Sequence, residues 1–112
     1  MNTLSLLLLA ILPTLSQENY AEVRQLSETV PVEVLFVMDN CIPCEQMKLE
    51  VPPTTYVVHN YNQPIVFNRI TQGRIRTFPT LGVLYKGKAT LYSGATKIRQ
   101  LFKSRTHKLR FR

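Results

Sequence analysis

The feature that most constrains this chain is a pair of cysteines placed just after an apolar segment. Residues Val32 to Met38 read VEVLFVM, a run rich in β-branched side chains, which predicts a central strand buried on both faces. Cys41 and Cys44, the only cysteines, follow it and open a segment, Ile42 to Glu50, that predicts a short helix ended by Pro52-Pro53. The sequence therefore places a dithiol where a buried strand turns into a helix, and a dithiol there is first of all a redox site.

Strands and helices are predicted to alternate along the rest of the chain. Beyond the two segments above, the patterns predict helices at 18–29, 65–72 and from Thr96 onward, and strands at 55–60, 80–85 and 89–93. Apolar spacing predicts these inward-facing side chains: Tyr20, Ala21, Val23, Leu26, Val30, Met47, Val51, Ile65, Val66, Ile70, Ile98, Leu101, Phe102 and Leu109. Lys86-Gly87-Lys88 lies between two apolar runs and indicates a hairpin. This order predicts an α/β sheet with an antiparallel edge.

The dithiol has the spacing of an exchange site. Cys41 would begin the helix, where free N–H groups and the positive end of the helix dipole stabilise a thiolate. Cys44 would lie one turn further in and be less exposed. Cys41 can then attack a substrate disulfide and Cys44 can resolve the mixed disulfide. Pro43 suits the first turn of a helix, where its missing N–H is not needed.

Other interpretations of the cysteines stay open. A zinc site would need further ligands, for which only His59, His107 and carboxylates are available. A structural disulfide is the other alternative, although so small a loop contributes little to stability. His59 lies on a predicted strand and fits a packed or edge histidine better than a catalytic base, and His107 fits a solvated position in a basic tail. We expect no metal and no cofactor.

The N-terminal residues form an apolar leader. Leu4 to Leu12 is far shorter than the roughly 20 residues that span a bilayer and fits a secretory signal peptide, with a cut before Gln17, or a short membrane anchor. The alternative is a buried helix or strand of the domain itself, because Met1 to Thr3 carries no Lys or Arg. We therefore divide the chain into a leader at 1–16, a domain at 17–103 and a basic tail at 104–112. A signal peptide implies a secreted or extracytoplasmic protein; otherwise the protein is cytoplasmic.

Charge is distributed unevenly along the chain, whose formal net charge is +7. All seven acidic residues lie between Glu18 and Glu50, whereas twelve of the 14 basic residues lie from Arg69 onward. Such asymmetry can attract an acidic partner, an anionic membrane surface or nucleic acid. The simpler interpretation is a solvated surface.

Two motifs together resemble the thioredoxin family. One is the Cys-x-x-Cys after an apolar strand, and the other is Arg74 to Leu81 (RIRTFPTL), which is similar to the segment around the family's cis-proline. The hairpin at 85–88 and Ser93-Gly94-Ala95 before the last helix are also similar, so that the resemblance covers Val32 to Lys103. It implies a thioredoxin-like fold: a central mixed sheet flanked by helices, with an antiparallel C-terminal hairpin and a final helix.

The resemblance also implies a function and a set of site residues. Cys41 and Cys44 would be the catalytic, redox-active disulfide of a protein-disulfide oxidoreductase, and Pro79 would be cis and lie beside the sulfurs. Phe78, Pro79, Ile42 and Pro43 would bind substrate, the backbone of Phe78 pairing with an extended segment like an added strand. Partners would be protein disulfide or dithiol substrates and a redox-recycling protein.

The chain departs from the family pattern at positions that influence how readily the cysteine thiols ionise. Asn40 stands where Trp often precedes the first cysteine, Leu35 stands where a buried acid normally lies, and Glu45 stands where a basic residue often follows. Asp39 and Glu45 add negative charge, which opposes the helix effect on the thiol. The family's first strand is also missing unless the leader supplies it. The alternative function is therefore a redox-weak, thioredoxin-like interaction module whose basic C-terminal half binds an acidic partner or membrane surface; nucleic acid is the less expected partner.

Overall fold

Helices and strands alternate along the part of the chain that the structure describes. The structure is a computed structural model covering residues 11–110, with side chains described as far as Arg105. Most of the predicted leader, the end of the predicted tail and the side chains of His107 and Leu109 lie outside the described residues. The strands are β1 (Val32–Val37), β2 (Tyr56–His59), β3 (Thr80–Tyr85) and β4 (Lys88–Ser93), and the helices are α1 (Tyr20–Leu26), α2 (Ile42–Glu50), α3 (Pro64–Thr71) and α4 (Ala95–Arg110).

The strands form one mixed sheet in the order β2-β1-β3-β4. Strand β1 runs parallel to β2 and antiparallel to β3, and β3 and β4 form an antiparallel hairpin. The hairpin turn places Lys86 and Gly87 in the left-handed backbone region, at φ 50° and 77°, which suits a two-residue turn between right-twisted strands. The predicted α/β fold with an antiparallel C-terminal edge is confirmed.

Strand β1 lies at the centre and is covered on both faces, as its sequence predicts. Alternate side chains point to opposite faces of the sheet. Val34 and Phe36 belong to one core cluster and Leu35 and Val37 to a second, and all four are at most 1% exposed. The first cluster includes residues of α1 and α3, and the second includes residues of α2 and α4. Helices therefore lie on both sides of the sheet.

Some predicted inward-facing residues are exposed instead. Leu26, Val30 and Ile65 are 46%, 45% and 53% exposed, and Ala21 is exposed as well. Helix α1 spans only 7 residues, so that Leu26 is its last residue, Val30 lies beyond it, and only Val23 is buried. In α3 the buried stripe is Val66 and Ile70, and Ile65 is turned about 100° away from Val66 on the helix.

The residues just before α1 pair with the edge of the sheet. The N–H of Val57 donates to the carbonyl of Pro13 at 2.8 Å, and the N–H of Leu15 donates to the carbonyl of Val57 at 3.0 Å. Thr14 forms an isolated parallel bridge with Val57, and the Leu15 side chain is 0% exposed. The predicted boundary after Ser16 thus follows directly on residues that pack into the domain, and the fate of the leader stays a prediction.

Helix α4 continues across the predicted boundary between residues 103 and 104 and extends to Arg110, the last residue that the structure describes. The Arg105 side chain forms an ion pair with Glu33 at the start of β1. The first part of the predicted tail is therefore a continuation of the last helix. Within residues 11–110, no helix combines the length and the apolar character needed to cross a membrane.

Candidate redox-active site

Cys41 is the N-cap residue of helix α2. Its backbone is extended, at φ −114° and ψ 99°, and its sulfur accepts a hydrogen bond from the N–H of Cys44 at 3.2 Å. The sulfur thus occupies the position that a serine or aspartate oxygen takes in many helix caps. Asn40 precedes it in the left-handed region, at φ 54°, which asparagine tolerates better than most residues. Negative charge on this sulfur is favoured, because the helix presents free N–H groups and its positive end there.

The two sulfurs form a disulfide but differ in exposure. The Cα atoms of Cys41 and Cys44 lie 5.2 Å apart, within the range that a disulfide spans. Cys41 is partly exposed, whereas Cys44 is 0% exposed and packs in the cluster that contains Met47 and Leu81. A partner molecule can therefore reach Cys41 and not Cys44.

The Phe78–Pro79 peptide bond is cis, as the resemblance implies. Thr80, the next residue, pairs with Phe36 of β1, so that Pro79 lies at the end of the sheet where β1 leads into the cysteine segment. The carbonyl of Pro79 accepts a hydrogen bond from the N–H of Gly94 at 2.9 Å. This bond ties the proline segment to the start of helix α4.

Phe78 is held by its side chain and leaves its backbone unengaged. Its ring stacks on that of Phe67 with centroids 5.9 Å apart and contacts both core clusters. Across residues 11–110, no backbone hydrogen bond involves the N–H or the carbonyl of Phe78. These two groups can pair with an added extended segment.

An exposed face of helix α2 adjoins Cys41. Ile42 and Leu49 are 72% and 74% exposed, and with Glu45 and Gln46 between them they line a shallow groove that Cys41 also lines. The substrate-binding residues Ile42 and Pro43 implied by the resemblance both lie exposed at this end of the helix. Sequence reasoning missed Leu49. Its spacing of seven residues from Ile42 places the two side chains on one helical face.

Each carboxylate that flanks the cysteines has a cationic or hydrogen-bonding partner. His59 Nε2 lies 2.7 Å from Asp39 Oδ1, and His59 Nδ1 accepts backbone N–H groups of the following turn at 3.2 and 3.3 Å. These acceptor contacts assign the proton to Nε2. Glu45 pairs with Lys48 at 2.9 Å. His59 therefore lies at the end of strand β2 as a largely packed histidine whose ring contacts Asp39.

The position of the family's buried acid is apolar here. Leu35 is 0% exposed and belongs to the same core cluster as Cys44. Glu33 does not replace it, because it lies at the start of β1, at the opposite end from Cys41, and pairs with Arg105. Among the described side chains, no group of three or more potential metal ligands comes together.

Comparison of the sequence with protein-family models and with curated proteins finds no match. The structure is similar to several solved thioredoxins. It matches Chlamydomonas reinhardtii thioredoxin f2 with a TM-score of 0.60 and 18% identity, over 87% of this chain and 96% of that one. It matches Fasciola hepatica thioredoxin with a TM-score of 0.58 and 18% identity, over 84% and 98%. It matches the long form of spinach chloroplast thioredoxin f with a TM-score of 0.57 and 16% identity, over 90% and 89%.

These similarities extend over nearly the full length of the solved chains at low identity. They cover 84–90% of the present chain. The chain therefore has the thioredoxin fold, with a Cys-x-x-Cys pair at the start of helix α2.

Proposed function

We propose that this chain is a thiol–disulfide oxidoreductase that exchanges disulfides with protein substrates through Cys41 and Cys44. The observation that carries the proposal is the unequal exposure of the two cysteines: Cys41 is partly exposed at a helix N-terminus and Cys44 is buried behind it. The thioredoxin fold supports the same conclusion. The role of the Cys-Ile-Pro-Cys motif in exchange, and proteins as the substrates, are both part of the proposal.

The disulfide form can oxidise a substrate dithiol. One substrate thiolate attacks the sulfur of Cys41, the bond between Cys41 and Cys44 breaks, and Cys44 leaves with the electron pair and takes up a proton. The second substrate thiolate then attacks its partner sulfur in the mixed disulfide and releases Cys41 as a thiolate. Two electrons pass from the substrate to the cysteine pair, and the helix N-terminus stabilises the released thiolate.

The reverse sequence reduces a substrate disulfide. The Cys41 thiolate attacks one substrate sulfur and releases the other as a thiolate that takes up a proton. Cys44 then loses its proton and attacks Cys41, which restores the disulfide and releases the second substrate thiol. Burial among apolar side chains disfavours the charged form of Cys44, so that we expect this resolving step to be slower than the first attack.

Substrate contacts are proposed on two sides of Cys41. The free N–H and carbonyl of Phe78 offer hydrogen bonds to an extended substrate segment, with Pro79 holding that backbone against the cysteine end of the sheet. Ile42, Pro43 and Leu49 offer an apolar surface on the other side. We therefore expect substrates with an extended, partly apolar segment around the reacting cysteine.

A redox-recycling protein completes the proposed cycle. One of the similar solved structures is a complex of ferredoxin:thioredoxin reductase with thioredoxin f2. That complex shows a thioredoxin held by a recycling enzyme, and it supports a partner of this kind for the present chain. The partner would use the same exposed sulfur of Cys41.

Trapping tests the function. In the full chain, Cys44→Ser leaves Cys41 able to attack and removes the residue that resolves the intermediate, so that stable mixed disulfides should accumulate and appear by mass spectrometry without reductant. Cys41→Ser is the matched control, and it should trap almost nothing because its remaining sulfur is buried. Equal trapping by both variants, or by neither together with no turnover of a model disulfide, contradicts the proposal.

A redox-weak interaction module is the second candidate. Its support is the concentration of basic residues from Arg69 onward. Binding to an acidic partner or an anionic surface that survives replacement of both cysteines and falls steeply with salt would favour it.

The compartment is proposed on the leader alone. If the leader at 1–16 directs secretion, the protein works outside the cytoplasm and its exchange favours disulfide formation; otherwise it works in the cytoplasm. The N-terminal residue of native material, found by mass spectrometry, decides between the two.

A further inference from the structure

A cleft opens at the end of the sheet opposite the cysteine pair. Leu84 lines it and pairs with Val32, the first residue of β1, whereas the cysteines follow the last residue of that strand. A strand of this length places the two sites about 17 Å or more apart. The cleft is lined by side chains and backbone of α1, α3, the loop after α3 and the hairpin: Tyr20, Arg24, Arg69, Arg74, Gly87 and Lys88 among them.

The lining carries positive charge without compensation. Arg24, Arg69, Arg74 and Lys88 contribute four cationic groups, and no Asp or Glu is among the lining residues. None of the ion pairs formed within residues 11–105 involves any of these four. Four like charges from separate parts of the chain therefore face one cleft and attract an anion.

Local contacts hold three of the cations in place. The guanidinium groups of Arg24 and Arg69 lie 5.9 and 5.6 Å from the centroid of the Tyr20 ring, within the range of a cation–π interaction. Arg74 Nε donates to the carbonyl of Thr71 at 3.2 Å. Side chains that are already oriented lose less conformational freedom when a ligand binds.

We propose that this cleft binds the phosphate or pyrophosphate group of a small, soluble phosphorylated molecule. Guanidinium groups match the geometry of phosphate oxygens and can bind them in pairs. The volume, about 310 Å³, falls within the range of pockets that hold small ligands. This site is separate from the proposed exchange chemistry and does not depend on it.

The test uses pyrophosphate and ADP as probes, titrated calorimetrically into the full chain at constant ionic strength. Replacing Arg69 and Arg74 together by Gln should weaken the affinity for both probes about tenfold or more. A single hydrogen bond to a charged group already contributes enough binding free energy for a tenfold change in affinity. The matched control replaces Lys97 and Lys103, two exposed basic residues of α4, by Gln, and it should bind both probes like the parent chain. Circular dichroism checks that each variant is folded.

A second pair of variants tests whether binding depends on the orientation of the arginines as well as on their charge. Tyr20→Leu removes the aromatic platform, and it should weaken binding although the net charge is unchanged. Tyr20→Phe keeps the platform and should bind like the parent chain.

Several outcomes would overturn the site. These are no binding of either probe at millimolar concentration, equal weakening by the two double replacements, or equal binding of an oligoglutamate of matched charge, which would indicate an acidic protein partner. Tighter binding to vesicles of anionic phospholipid than to the soluble probes would assign the same phosphate chemistry to a lipid surface and would also contradict the proposal.

Discussion

At the level of single residues, burial gives different roles to two chemically identical sulfurs. Their order was predictable, because Pro43 and the spacing place Cys41 at a helix start and Cys44 inside it. The contact between His59 and Asp39 was not predictable. It depends on the parallel register that sets His59 beside Val37, and no local pattern specifies that register.

Asp39→Asn should make the Cys41 thiolate form more readily in the reduced protein. Asp39 lies two residues before Cys41, and a unit charge about 7 Å away in water contributes about 0.6 kcal/mol. The midpoint of the pH profile for alkylation of Cys41 should therefore fall by a few tenths of a pH unit, and less at high salt.

The design of that variant preserves the local structure. The asparagine oxygen can still accept from His59 Nε2, so that the loop is expected to keep its shape. Glu28→Gln, an exposed acidic residue beyond α1, should leave the profile unchanged. A profile that moves to higher pH in Asp39→Asn would show that the contact with His59, and not the charge, governs the sulfur.

Leu49→Ser tests the exposed face of α2 as a docking surface. The side chain is 74% exposed, so that stability should change by less than about 0.5 kcal/mol. The kcat/KM on a protein disulfide should fall severalfold, while the rate with a small disulfide stays the same. Ile65→Ser, 53% exposed on α3, is the control, and an equal loss there would mean that this face has no particular role.

At the level of elements, the first and last residues of some helices and strands were predictable, because prolines or a tight turn follow them directly. The predicted bounds 42–50 and 80–85 agree with α2 and β3, because Pro52-Pro53 ends the first and the Lys-Gly-Lys turn ends the second. Helix faces were less predictable. Which apolar residue of α1 or α3 is buried depends on the neighbour that covers it, and Leu26 and Ile65 are left uncovered.

Two helices on one face of the sheet are joined by an ion pair. Arg99 of α4 donates from Nε and Nη2 to the two carboxylate oxygens of Glu50 of α2, at 2.8 and 2.7 Å. These hydrogen bonds lower the pKa of Glu50 below its usual value. A carboxyl with a lowered pKa in the folded state stabilises the fold above its unfolded pKa, about 4.3, and loses that contribution as the pH falls through the folded value.

Glu50→Gln should therefore lower the melting temperature slightly at pH 7 and have no effect in strong acid, where the parent carboxyl is protonated as well. Both residues are exposed, so that the effect should shrink in high salt. Arg99→Gln should behave alike, and the double variant should lose no more than either single one. A difference that persists unchanged at low pH would exclude the ion pair as its cause.

At the level of the whole molecule, the order of elements was predictable but the first part of the domain was not. The apolar residues that fit a signal peptide fit a buried strand equally well, because both need a short apolar run. The structure uses residues 13–15 at the edge of β2, beside the sheet, and buries Leu15 in the same cluster as Val34 and Val58. This packing makes the predicted boundary after Ser16 testable through stability.

Leu15→Ala should destabilise the full chain by about 2–5 kcal/mol, the usual cost of removing a large side chain from a core, measured by urea denaturation. A chain that starts at Gln17 should lose at least as much, since it also lacks the two hydrogen bonds to Val57, each contributing about 0.5–1.5 kcal/mol. Ile11→Ala, at a side chain that is 68% exposed, should change stability by less than about 0.5 kcal/mol.

The stability of the shortened chain decides where the leader can be cut. If the shortened chain is as stable as the full one, Leu15 is dispensable and a cut before Gln17 does not destabilise the fold. If it is much less stable, a mature protein that keeps this fold retains residues 13–15, and any processing of the leader takes place nearer to its start.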